Sequence, residues 1–270
     1  MTFALILVTA CSSNFFYNRL DYLVPWYVDG YVDLSSAQRT QLKSDLGPIL
    51  RWHRAEELAQ YSQFISDVET ELDADVCVET MQRWVDFSLE SYGRVLARSQ
   101  SMLLDLTADL SAAQVGQLID KLREEQREDQ KEFLQRTRVE YDKANYENME
   151  EGLEDWLGRL DRTQRAGLQS AIAKLVRYDQ LWLDDRQLWV DKIAGVLSAR
   201  APGWREALET AMNLRGDYSG RSYREVSERN QAILSEAVVA VLNSRSTAQD
   251  KKLRKKLKEW RVRFEKLQST

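Results

Sequence analysis

The chain has 270 residues, 43% of them hydrophobic and 30% charged, with three prolines and eleven glycines. That balance excludes wholesale disorder, and a formal charge of -5 gives no basis for nucleic acid as a general partner. Long stretches without a turn residue, rich in Leu, Ala, Gln, Glu and Arg, point to helices around a sizeable core.

The first segment, Phe3 to Ala10, is mainly apolar. Eight residues span about 12 Å as a helix, far short of a bilayer core, so a conventional transmembrane segment is excluded. The length suits the apolar part of a signal peptide, although the usual basic beginning is absent. Cys11 ends it. The second cysteine, Cys77 in LDADVCVETMQRWV, lies beside a helical apolar stripe and reads as a buried small residue rather than a nucleophile. A Cys11–Cys77 disulfide is the competing use of the pair and is incompatible with a lipid on Cys11.

Val8-Thr9-Ala10-Cys11 resembles the end of a bacterial lipoprotein signal. The resemblance implies removal of residues 1–10 and acylation of Cys11, palmitate included. Ser12 follows, where an aspartate would signal inner-membrane retention, so it also implies the periplasmic face of the outer membrane. More than one acyl chain, at about 0.8 kcal/mol per buried methylene, makes such an anchor stable. The run Tyr17-Asn18-Arg19-Leu20-Asp21, Val24-Pro25-Trp26-Tyr27 and Asp29-Gly30-Tyr31-Val32-Asp33-Leu34 resembles the start of an uncharacterised family of proteobacterial lipoproteins. Arg51-Trp52-His53-Arg54 and Glu56-Glu57-Leu58 do so too. The likeness covers about residues 11–60 and implies a location and a helical architecture, with no activity attached.

Within residues 11–34, Pro25 and Gly30 predict a short helix and a loop rather than one unbroken helix. The aromatics Trp26, Tyr27 and Tyr31 are a candidate contact surface near the anchor. From Leu42 the apolar series Leu46, Ile49, His53, Leu58, Tyr61, Ile65, Val68 and Leu72 has roughly helical spacing, bent or broken at Pro48. A second helix is predicted from about Ala74 to Asp105.

Residues 111–160 are highly charged. Asp120 to Asp155 hold thirteen acids and seven bases. One unbroken helix here would span about 75 Å, so the segment either projects as an arm or breaks near Lys143 to Glu147. The expected division places a signal remnant at 1–10, an anchor-proximal segment at 11–34, and helical lobes at 35–145 and 146–270.

From Arg162 the stripe runs Leu168, Ile172, Leu175, Asp179, Trp182, Arg186, Trp189, Ile193 and Val196. Asp179 and Arg186, seven residues apart, fall near one face with Trp182 and Trp189, either as packing or as a ligand groove. Pro202-Gly203 and RGDYSGRSY mark two breaks around a short helix. The last helix carries Leu253, Leu257, Trp260, Phe264 and Leu267 in a coiled-coil-like seam, and its other faces are basic. Packing of this seam onto the body is the expectation. Attraction between the basic run and the acidic 120–155 segment is a lesser one.

One spacing recurs: Leu34-Ser35-Ser36-Ala37-Gln38, Leu110-Ser111-Ala112-Ala113-Gln114, Leu160-Asp161-Arg162-Thr163-Gln164 and Arg245-Ser246-Thr247-Ala248-Gln249. Ser or Asp followed by Gln three residues later is a capping box. The first two look like the Leu-Thr-x-x-Gln signature of periplasmic helical chaperones, with Ser for Thr. The intervals of 76, 50 and 85 residues between the glutamines are irregular for a tandem repeat.

A single histidine, His53, cannot build a multi-histidine metal centre, and it falls on an apolar stripe. Phosphate loops, nucleophile elbows and zincin spacings are absent, so no catalytic residue, metal or cofactor is nominated. The expected fold is all-α, an elongated multi-helix bundle of six to eight helices, with or without a projecting arm. The expected function is that of a non-catalytic periplasmic lipoprotein, membrane-anchored through Cys11, that binds an envelope or unfolded client protein. The alternatives are an assembly lipoprotein with one dedicated partner, and an enzyme or small-ligand carrier with a site between lobes.

Overall fold

A computed structural model describes residues 14–213 and 221–269. The described residues are all-α and form twelve α-helices. These are α1 (Asn14–Tyr17), α2 (Leu20–Asp29), α3 (Ser36–Trp52), α4 (Leu58–Glu71), α5 (Val78–Ala108), α6 (Ala112–Gln135), α7 (Arg138–Leu157), α8 (Arg162–Ile172), α9 (Asp179–Ala199), α10 (Trp204–Asn213), α11 (Arg221–Asn243) and α12 (Thr247–Gln268). No helix among them is long and apolar enough to cross a membrane.

Local chemistry sets most of the boundaries. Helix α2 runs through Pro25 and ends at Gly30, so the proline bends no break into it. Helix α3 likewise passes Pro48 and gives way to a π-helical turn, His53–Glu57. That turn is the five-residue step from His53 to Leu58 in the apolar series, one residue more than an α-turn supplies. The charged 111–160 region is not one helix. It breaks at Arg136, upstream of Lys143, because Thr137 accepts from the Glu140 amide and Glu140 accepts from the Thr137 amide, a fresh capping box. The expected cut between residues 145 and 146 therefore falls inside α7.

The chain divides into two compact units, each drawn from three stretches of sequence. Unit 1 comprises the described parts of Met1–Glu56, Glu90–Lys131 and Gln180–Gly220. Unit 2 comprises those of Glu57–Leu89, Glu132–Asp179 and Arg221–Thr270.

The core of unit 1 joins Leu42 and Leu46 of α3, Val115 and Ile119 of α6, Ile193 and Leu197 of α9, and Leu208 and Ala211 of α10. Val32, Leu34 and Leu110 close it at the loops. Arg200, just past α9, has a left-handed backbone (φ 41°), which a side chain pays for in strain. Its guanidinium donates to the carbonyls of Thr107 (2.7 Å), Ala108 (3.2 Å) and Leu110 (2.9 Å), closing the C-terminal end of α5.

In unit 2, Leu253, Leu257, Phe264 and Leu267 of α12 are buried, as are Leu58, Ile65 and Val68 of the adjoining α4. Phe264 meets the Tyr61 ring edge-on at 5.8 Å. The basic faces of α12 cap two other helices. Arg254 donates to the carbonyls of Glu69 and Leu72 at the end of α4, and Lys252 to that of Glu154 at the end of α7. Cations at helix C-termini neutralise orphan carbonyls and the negative end of the helix dipole. Lys256 also pairs with Asp155, so the acidic and basic runs do meet within one molecule. Burial pushes the Asp250 carboxyl up, but hydrogen bonds from Arg245 and Arg254 outweigh it and hold the group below the ordinary aspartate range.

The four repeated boxes pair off. In unit 1 the side-chain amides of Gln38 and Gln114 exchange two hydrogen bonds, at 3.1 and 2.8 Å. In unit 2 Gln164 and Gln249 do the same, at 3.2 and 2.9 Å. Each glutamine also donates to the carbonyl two residues before its partner's cap. Gln38 reaches Asp109, Gln114 reaches Asp33, Gln164 reaches Ser244 and Gln249 reaches Arg159. The intervals of 76 and 85 residues are therefore the partners within a unit, and the interval of 50 separates the two clasps. Glutamine serves here where glutamate would not, because only the amide can both accept from its own cap and donate across.

Candidate functional site

Helix α2 presents the least buried aromatic surface described in unit 1. Trp26 is 65% exposed and Tyr22 58%, and Phe16 on α1 is 47% exposed. Lys43 of α3 sits 5.8 Å from the Tyr22 ring centroid. Helix α1 is tied to the π-helical turn that follows α3 by Tyr17, which is buried and whose hydroxyl meets His53 Nδ1 at 2.9 Å. Arg54 stacks over the Tyr17 ring and donates to Asn18. His53 is thus a half-buried hydrogen-bonding group holding α1 in place.

Tyr27 and Tyr31 begin a polar chain that runs inward. Their hydroxyls lie 2.9 Å apart, and Tyr31 also hydrogen-bonds Glu125 of α6. Glu125 accepts from Arg186 of α9 at 3.1 Å, and Arg186 pairs with Asp129 and lies over the Trp182 ring. Burial, then the hydrogen bonds to Tyr27 and Glu125, hold the Tyr31 phenol far above its ordinary range, so it stays protonated. Trp189 packs against the core. Trp182, Arg186, Tyr27 and Tyr31 are thus brought together in unit 1 through Glu125, an acid whose sequence neighbourhood looks like any charged helix surface. What these side chains display is hydrogen bonding and ion pairing.

Asp179 belongs elsewhere. It is buried in unit 2, gripped by Arg136 through two bonds (3.0 and 2.5 Å) and by Arg177 at 2.9 Å. These arginines crowd the face of Tyr141, whose phenol is raised to about 12 by burial and by the charges of Tyr178 and Asp179. Asp179 therefore neutralises an arginine cluster. Cys77 is exposed rather than buried: it precedes α5, with its Sγ 3.2 Å from Thr80 Oγ1. Cys11 lies outside the described residues.

Beside Tyr31, unit 1 has a groove of about 430 Å³, open to solvent. Its walls are the 29–33 turn and the Gln117, Asp120, Lys121, Glu124 and Arg127 side chains of α6. Gln117 fixes the turn by donating to the Asp33 carboxylate at 2.9 Å and accepting from the Asp33 amide at 3.2 Å. A smaller cleft of about 260 Å³ lies among Gln38, Asp45, Met102, Asp105, Asp109 and Arg205, where Arg205 is paired with Asp105. Among the described residues, no group of three or more His, Cys, Asp or Glu side chains could hold a metal ion.

No curated protein and no solved structure gives a significant match to the chain. Residues 30–224 match a family of unknown function, DUF6279, which spans the Tyr31 groove, the Gln38–Gln114 clasp and the Arg186 chain. With well over half its length matched, the chain belongs to the DUF6279 family.

Proposed function

We propose that this protein is a non-catalytic lipoprotein, anchored through Cys11 on the periplasmic face of the outer membrane, that binds a polypeptide of the envelope. The observation that carries the binding reading is the groove beside Tyr31. It is open to solvent and lined by charges of both signs beside a fixed backbone turn, which suits the polar surface of a polypeptide. Small apolar ligands are held in enclosed, mostly hydrophobic pockets, and this groove is neither. The exposed aromatics of α2 and the lipoprotein-type Val8-Thr9-Ala10-Cys11 support a tether on the same unit.

The test is suppression of client aggregation by the chain without its lipid, set against Lys121→Glu/Arg127→Glu. Arg127 is exposed and Lys121 is half-buried and paired with Glu124 at 2.6 Å, a surface ion pair worth about 1 kcal/mol or less, so the variant should still fold, with at most a small drop in thermal midpoint. Concentration-dependent suppression by the wild type, weakened about tenfold or more in the variant, is expected if each reversed charge costs the ~1 kcal/mol of a surface ion pair. Equal suppression by both would remove the groove from the account. A single stoichiometric partner in crosslinking, with no suppression of general clients, would favour a dedicated assembly role instead.

A further inference from the structure

We infer that the Tyr22–Trp26 face of α2, with Lys43 beside it, is a lipid-interface contact that lays unit 1 against the bilayer holding the anchor. This rests on the tethered reading above and names the surface the tether presses down. Tyr22 and Trp26 are one turn apart, so both rings leave the same side of the helix, and both are more than half exposed. Single exposed apolar side chains are ordinary, whereas adjacent exposed aromatic rings mark a contact surface. Their amphipathic character suits the headgroup level, where an apolar body meets a polar tip.

The charges agree with that occupant. Lys43 stands over Tyr22, offering a cation to lipid phosphate beside a ring offered to the acyl boundary. Asp21, the acid nearest these rings in sequence, is about 100° around the helix from Tyr22 and further from Trp26. Asp29 is neutralised by Arg39 through two bonds, at 3.1 and 2.8 Å. The length of chain before the face also fits. Eleven residue steps separate Cys11 from Tyr22, at most about 40 Å when fully extended and less because residues Asn14–Tyr17 and those from Leu20 on are helical, so an anchor at Cys11 keeps this face within reach of the membrane.

The experiment couples the full chain through Cys11 to a maleimide lipid, in a Cys77→Ser background, on vesicles with and without brominated acyl chains. Tryptophan emission is compared between this chain and its Trp26→Phe variant, the difference being the signal of Trp26 alone. The expected result is that bromolipid removes roughly half or more of that difference signal, as for a ring at the 5–10 Å depth of an interfacial helix. A Trp26 signal indifferent to bromolipid would overturn the contact. So would a ring shielded from aqueous iodide by a protein partner but not by vesicles. Because the coupling is chemical, quenching without natural acylation of Cys11 would sink the anchor reading while leaving the face intact.

Discussion

Replacing Gln164 with alanine is expected to destabilise unit 2 by about 2–3 kcal/mol. The side chain is buried, and its amide makes bonds to Gln249, to the cap of its own helix and to the Ser244 carbonyl. Alanine would leave the Asp161 N–H without its acceptor and cut the Gln249 amide back to its bonds with Arg159 and Ser246, and buried polar groups that lose partners carry a desolvation cost. Gln114→Ala removes the matching residue of unit 1, but that clasp is only half-buried, so water can replace the lost partners and about 1 kcal/mol is expected. Gln164→Glu is the sharper variant, because a carboxylate preserves the capping box and cannot donate across. Urea unfolding measures all three. Additive losses in Gln164→Ala/Gln249→Ala would show that the two amides act separately, whereas a coupling of about 1 kcal/mol is the clasp's signature.

Asp179→Ala should cost about 2–3 kcal/mol. The carboxylate is buried and neutralises both Arg136 and Arg177, which are themselves partly buried around Tyr141. Removing the acid leaves two like charges facing each other over one ring. Their partial exposure keeps the cost below that of a fully buried ion pair. Asp179→Ala/Arg136→Met should recover part of the loss, since it deletes a stranded cation and keeps the apolar contact with Tyr141. An Asp179→Ala chain as stable as wild type would mean the arginines find other partners, and the cluster would carry no stability.

The all-α class was legible because few prolines and glycines interrupt long apolar stripes. The α12 seam was legible for the same reason, with four of its five positions buried. The capping boxes were visible as helix starts, but their pairing was not. A hydrogen bond between Gln38 and Gln114 leaves no mark in either segment beyond the choice of Gln. The break at Arg136 hid in a charged run, since Thr137 and Glu140 look like any surface pair until a chain direction is known. Arg186 and Asp179 share a stripe on a helical wheel, yet that stripe does not say which neighbours each meets. Arg186 turned out to face α6 acids, and Asp179 an arginine cluster beyond the helix start. The interleaving of two units from three stretches each is invisible to a reading that walks the chain once.

Mass spectrometry of the mature protein, produced in its native host with its complete leader beside a Cys11→Ala variant, tests the tethered account most directly. A tethered protein begins at Cys11 and carries acyl groups that are lost with the substitution. A correctly folded protein that begins at an unmodified Met1 would contradict it.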